Sequence, residues 1–289
     1  MSGEQEQELL LSALGQLRRD SEGWQLHVVD IELPDAAGEF SDSRFSMTWA
    51  QHRNSLSAVT FRGHDLPVAP LSVLTAGLTP LPQSSRELLE GLQPSGSVEH
   101  VEAVWRRGEG KTNPHYATAA FQQLSSHAHR AAPAIEGLDA ELSLANGDAA
   151  LRFADADFTL KHAQRLAQPL EITGLNGRLV WDQQSERLDV YADDVAGTVN
   201  KLALTINGKL KEALGVNRHA DLHIAMPGGP AANVHHLIPN ELFPPRGQTW
   251  LRHVLQAGRL SDGAVLVRGP LSAFPFRHAE GVFAVDFSV

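Results

Sequence analysis

The chain has 289 residues, enough for two ordinary domains or for one elongated β architecture, so burying a core is not its difficulty. Lys and Arg total 24 against 34 Asp and Glu, and the net charge of −10 opposes docking on a nucleic-acid backbone or on anionic headgroups. With no cysteine, disulfide frameworks, thiolate metal sites and cysteine nucleophiles are excluded together.

The first twenty residues, MSGEQEQELLLSALGQLRRD, are acidic where a signal peptide would be basic, and no apolar run reaches the eighteen residues of a membrane span. Leu10, Ala13, Leu14 and Leu17 recur at helical spacing, with Glu4, Glu6 and Glu8 before them and Arg18 and Arg19 after, which predicts an amphipathic helix over residues 5 to 19. Beyond it the period becomes two. Phe45, Met47 and Trp49 alternate with polar neighbours, as do Leu138, Ala140, Leu142 and Leu144. The same holds for Leu188, Val190 and Ala192, for Leu202, Leu204 and Ile206, and for Leu222, Ile224 and Met226. One apolar and one wet face is the pattern of antiparallel strands. The last residues, EGVFAVDFSV, place Phe283, Val285 and Phe287 on one side of a strand that stops mid-pattern, so the expectation is a segment of a longer protein.

Two helical inserts interrupt the strands. SSRELLEGL carries a capping box, Ser84 with Glu87, and an apolar face of Leu88, Leu89 and Leu92. GQTWLRHVLQAG places Trp250, Leu251, Val254 and Leu255 together and closes on Gly258 as a C-cap. Displaced by 162 residues, Pro82 falls on Pro244, Leu89 on Leu251, Gly96 on Gly258 and Val98 on Leu260, a degenerate repeat of one helix-to-strand unit. The organisation expected is therefore a helix over 1–20, a β segment with a helical insert over 21–110, and a second β segment over 111–289 within the same elongated unit.

Chemistry is scarce. Gly-Lys-Thr at 110 to 112 lacks the first glycine of a phosphate loop, since Trp105 stands there, and Asn113-Pro114 forbids the following helix; the stretch reads as a polar hairpin loop. Among the 14 histidines, His219 and His223 would lie about 13 Å apart on a regular strand, too far for one metal. His127, His129, His235 and His236 read as surface residues. Asp155 with Asp157, from which a glycosidase pair could be imagined, reads instead as a solvated strand face, as does Asp193 with Asp194. Neither a nucleophile elbow nor a His-Glu-x-x-His helix is present. No enzyme, cofactor or metal is expected.

The C-terminal third, HLIPNELFPPRGQTWLRHVLQAGRLSDGAVLVRGPLSAFPF followed by EGVFAVDFSV, resembles the YhdP-like branch of the AsmA-like superfamily. The matching positions are Ile238-Pro239, Trp250-Leu251, Ala257-Gly258, Arg268-Gly269, Phe274-Pro275-Phe276 and Gly281-Val282-Phe283. The resemblance implies a mainly β fold, an elongated and curled antiparallel sheet with a few short helices. It also implies a periplasmic bridge anchored in the inner membrane of Gram-negative cells by parts outside this sequence, its groove holding phospholipid acyl chains on their way to the outer membrane.

Read on the alternation, the groove lining would be Leu188, Val190, Leu202, Leu204, Ile206, Leu222, Ile224 and Met226, with Phe283, Val285 and Phe287 near the end. Periodicity alone leans instead to two sheets packed as a sandwich. The alternative function is an assembly or scaffold segment with such a closed core, binding protein partners in the envelope. Trp250, Leu251, Gly258, Arg268, Gly269, Phe274, Pro275 and Phe276 are read as architecture, Pro275 ending a strand and the two phenylalanines anchoring a turn.

Overall fold

The computed structural model describes residues 12–19, 23–32, 43–52, 55–69, 83–106, 116–130, 132–145, 148–162, 166, 168–184, 187–213, 217–237, 258–276, 278 and 280–288. They form one 15-stranded antiparallel sheet in which almost every strand pairs with its neighbours in sequence. Its strands are β1 (Ser12–Arg19), β2 (Gly23–Glu32), β3 (Arg44–His52), β4 (Ser55–Pro67), β5 (Ser95–Arg106), β6 (Tyr116–Ser126), β7 (Ala134–Ala145) and β8 (Asp148–Lys161). Then come β9 (Leu170–Gln184), β10 (Arg187–Val199), β11 (Leu202–Lys211), β12 (His219–Pro230), β13 (Arg259–Leu260), β14 (Asp262–Pro270) and β15 (Val282–Ser288). The two-residue β13 pairs only with β12, and the path continues from β12 to β14 and β15. The pairing runs from β1 to β15 without closing into a barrel.

At about 4.8 Å between neighbours such a sheet is roughly 60 Å long across its strands. Open sheets beyond about ten strands curl, because each pair adds roughly 20–25° of twist. The sandwich favoured by periodicity is not formed. The apolar faces of successive strands join edge to edge into one face, and among the described residues no second sheet lies over it.

The predicted N-terminal helix is corrected over the described part of its range: Ser12–Arg19 is a strand, while residues 1–11 lie outside the description. Its backbone pairs with β2, Leu17 opposite Leu26 and Arg19 opposite Trp24. A helical spacing of leucines is a local preference, and an unpaired sheet edge alongside it offers a full ladder of hydrogen bonds that outweighs that preference. As a strand, Leu14 and Leu17 no longer share a face, and they are 66% and 57% exposed. The helix expected after Ser84 is present as α1 (Gln83–Leu92). Its copy around Trp250 and Leu251 lies outside the described residues, as does the Gly-Lys-Thr loop. What is described of the repeat agrees in detail: Gly96 and Gly258 have φ of 110° and 108°, and Val98 and Leu260 are both buried.

Because the chain meanders, its connections alternate between two long rims. The first rim carries the ends joining β1 to β2, β3 to β4, β5 to β6, β7 to β8, β9 to β10 and β11 to β12. The second carries α1 and the 3-10 turn Ala231–Leu237 that follows β12. The backbone N–H of His127 donates to the Leu92 carbonyl at 2.7 Å, and Gly91 leaves room for the His129 ring against the helix. Asn233 donates to the Asn200 carbonyl, holding the 3-10 turn on the same rim.

A line of bulges crosses the even strands. Gln123 on β6, Asp155 on β8 and Asp194 on β10 have φ of 51°, 56° and 46°, and the register slips beside each. Each freed backbone N–H donates to a side chain of the next strand: Gln123 to Asp139 at 2.7 Å, Asp155 to Asn176 at 3.1 Å, Asp194 to Asn207 at 2.9 Å. Gly177 and Gly208, with φ of 118° and 137°, pass so close to the β10 and β12 backbones that a Cβ on either would strike a carbonyl oxygen. Bulges bend strands and raise their twist, and a line of them bends the sheet along its length.

Candidate functional site

Residues directly opposite in an antiparallel pair point to the same face. Following the register from strand to strand gives one unbroken apolar row: Leu17, Leu26, Met47, Phe61, Ala103, Ala117, Leu144, Ala149, Trp181, Val190, Leu210, Ala220 and Gly269, from β1 to β14. Two residues further along each strand a parallel row runs Phe45, Gly63, Val101, Ala119, Leu142, Leu151, Leu179, Ala192, Gly208, Leu222, Val267 and Phe283, from β3 to β15. Neither row contains a charged or hydrogen-bonding side chain other than the indole of Trp181.

The opposite face is wet. Four directly opposed pairs form ion pairs there: Arg62 with Glu102 at 2.8 Å, Arg152 with Glu141 at 3.3 Å, Arg178 with Asp193 at 2.6 Å and Arg268 with Asp221 at 3.0 Å. All are largely exposed, so each is worth at most about 1 kcal/mol. Their arrangement keeps charge on one side only. Of the two carboxylates weighed as a glycosidase pair, Asp157 accepts from the Gly174 N–H at 2.7 Å; Asp193, outside that pair, is held by Arg178. Among the described residues no three potential ligands converge on a metal position.

The sequence-predicted lining falls on the apolar face but divides by exposure. Leu188, Val190, Ile206, Leu222 and Ile224 are half-buried. Ile206 stands opposite Ile224, which stands opposite Val265 and so Val285, the last 47% exposed on the edge strand. Phe283 lies opposite Val267, and Phe287 holds the register position opposite Gly263. Leu202, Leu204 and Met226 differ: they are buried with Ala231 and Leu260 in a packed cluster at the second rim. Their surface is already filled by protein.

A second cluster, Leu138, Ala140, Phe153 and Ala156, is buried on β7 and β8 beside the bulges of β6 and β8, with Leu151 and Leu179 from the open rows packed against it. The second rim is thus sealed, with Leu66, Val98 and Ile172 also buried there. Toward the first rim the same face is mixed: Ala103, Ala149 and Ala220 are buried, while Phe61, Ala117, Leu144, Trp181 and Val190 are half-buried.

The Phe-Pro-Phe segment follows a 3-10 turn, Leu271–Ala273, and reverses the chain between β14 and β15 at the first rim. Phe276 is buried, its ring close against Gly269 and Gly281, and Phe274 packs on Phe276 and Phe283 at centroid distances of 5.6 and 5.0 Å. Arg268 makes its ion pair on the wet face, and Gly258 carries the carbonyl that accepts from Ala231.

Sequence reasoning placed Trp49 in apolar phase but did not count Trp24, Trp105 or Trp181 among the lining. Trp24, Trp105 and Trp181 are half-buried on the apolar face near the first rim, and Trp49 holds the register position opposite Trp24. Their signal was present in the sequence as a tryptophan in apolar phase beside a strand-ending connection.

No helix among the described residues is long and apolar enough to cross a membrane. No curated protein and no solved structure matches the chain. The family model described as YhdP protein matches residues 2–289, the span that holds the whole sheet with its continuous apolar face. The chain belongs to the YhdP protein family.

Proposed function

We propose that this chain is a segment of a bridge in the Gram-negative cell envelope that carries phospholipid between the inner and outer membranes across the periplasm, the acyl chains lying on the apolar sheet face. The observation that carries the reading is the pair of unbroken apolar rows, each crossing a dozen or more strands without a charge. Burying each methylene is worth about 0.8 kcal/mol, so a lipid leaving its bilayer for water meets a large barrier, and a continuous apolar strip removes it. Movement along the strip needs no nucleophile, metal or nucleotide site. It needs a surface free of charge, and rows of leucine, valine, alanine and aromatic residues supply that. Family membership supports the envelope setting, and the other parts of the bridge would make the membrane contacts.

The test places a photo-crosslinking amino acid at Leu142 and, separately, at its neighbour Ser143 on the wet face, within the full-length protein in cells labelled with radioactive phosphate. Phospholipid captured at Leu142 and not at Ser143 is the expected result. Capture at neither, in a folded protein, sinks the reading and favours an assembly segment that binds protein along its edges.

A further inference from the structure

We propose that the lipid has a fixed orientation across the sheet, with its phosphate headgroup along the first rim and its acyl tails directed at the sealed second rim; this rests on the lipid-carrying reading above. Three independent features point the same way. The first is closure. The buried clusters around Leu202 and Leu138, together with Leu66 and Val98, close the second rim, the first of them packed against Ala231 and Val234 of the 3-10 turn. A headgroup set among these apolar side chains would lose its water, whereas a methyl terminus loses nothing.

The second is aromatic. Indoles place an apolar ring in hydrocarbon and an N–H donor at the wet boundary, which is why tryptophan concentrates at the depth of lipid headgroups. Trp24, Trp105 and Trp181 sit at the first-rim ends of β2, β5 and β9, on the apolar face. From Trp105 to the buried Val98 the strand runs about 23 Å at 3.3 Å per residue. That exceeds the roughly 15 Å of one bilayer leaflet's hydrocarbon, so tails anchored at the indoles fit before the floor is reached.

The third is charge. Arg19 stands over the Trp24 ring, its guanidinium carbon 5.2 Å from the centroid. Arg18 and Arg19 end β1 on this rim. In a chain of net charge −10 a cation held against this indole favours a phosphate on the first rim.

The experiment uses two phosphoglyceride probes in vesicles, one bearing a diazirine on the headgroup and the other a diazirine at the end of an acyl chain. Each is offered to the full-length protein, and adducts are mapped by peptide mass spectrometry. The proposal expects headgroup adducts several-fold enriched at first-rim peptides holding Trp24, Trp105 and Trp181, and acyl-end adducts around Phe153 and Leu179. Headgroup adducts at the second rim, around Gln93 and His127, or equally at both rims, with acyl-end adducts still on the apolar face, overturn the orientation while leaving lipid carriage standing. No adducts from either probe on the apolar face overturn both.

Discussion

Asn207 on β11 accepts the backbone N–H of Asp194 on β10 at 2.9 Å, holding a non-glycine residue at a φ of 46° in the middle of a strand. The same relation joins Asp139 to Gln123 and Asn176 to Asp155, so the bend of the sheet is written at intervals of two strands. Replacing Asn207 with Leu leaves that N–H to water alone, and we expect a loss of about 1 kcal/mol, read from the denaturation midpoint. No change would mean that the bulge is held by its neighbours and not by its cap.

Gly208 is a harsher test of the same line. An alanine there meets the Asp221 carbonyl oxygen and must also hold a φ of 137°. Strain of this kind costs of order 1–3 kcal/mol, and the clash adds to it. G208A is therefore expected to fall well below N207L in stability, and equal midpoints would show that the two strands separate easily.

At the Phe-Pro-Phe turn the two rings are unequal. Phe276 is 8% exposed, and F276A should cost about 3–5 kcal/mol, with the half-buried Phe274 costing less. A variant pair that kept full stability yet abolished lipid transfer would move this segment from architecture to site.

Charge on the apolar face should block passage, whereas charge on the wet face should not. Leu179→Asp interrupts the second apolar row between Leu151 and Ala192. Lipid co-purifying with the full-length protein, quantified after organic extraction, should drop several-fold in this variant. Val180→Asp, its neighbour on the other face, should retain lipid. Equal retention by both would argue that the rows are not the lipid path.

The wet-face ion pairs should matter little. D193N removes the partner of Arg178, whose side chain is 54% exposed, and the expected change is under about 1 kcal/mol, shrinking further in high salt. A large loss would mean that this pair, rather than the apolar rows, fixes the register of β9 against β10.

Strand periodicity, the division into wet and apolar faces, α1 and the chain reversal at Phe274–Phe276 were all legible in the residues themselves, because each depends on neighbours a few positions apart. Tertiary pairing decided what lay beyond that reach. Ser12–Arg19 became a strand because β2 offered it an edge, and the apolar faces merged into one sheet because each strand found its sequence neighbour before any second layer. Leu202, Leu204 and Met226 were sealed while Leu222 and Val190 stayed half open, since that depends on Leu260 and Ala231 arriving from another part of the chain. The alignment of Trp24, Trp105 and Trp181 on one rim likewise follows from register accumulated over many strands. Alternation tells which face a side chain takes, but bulges and long-range pairing determine what it meets there.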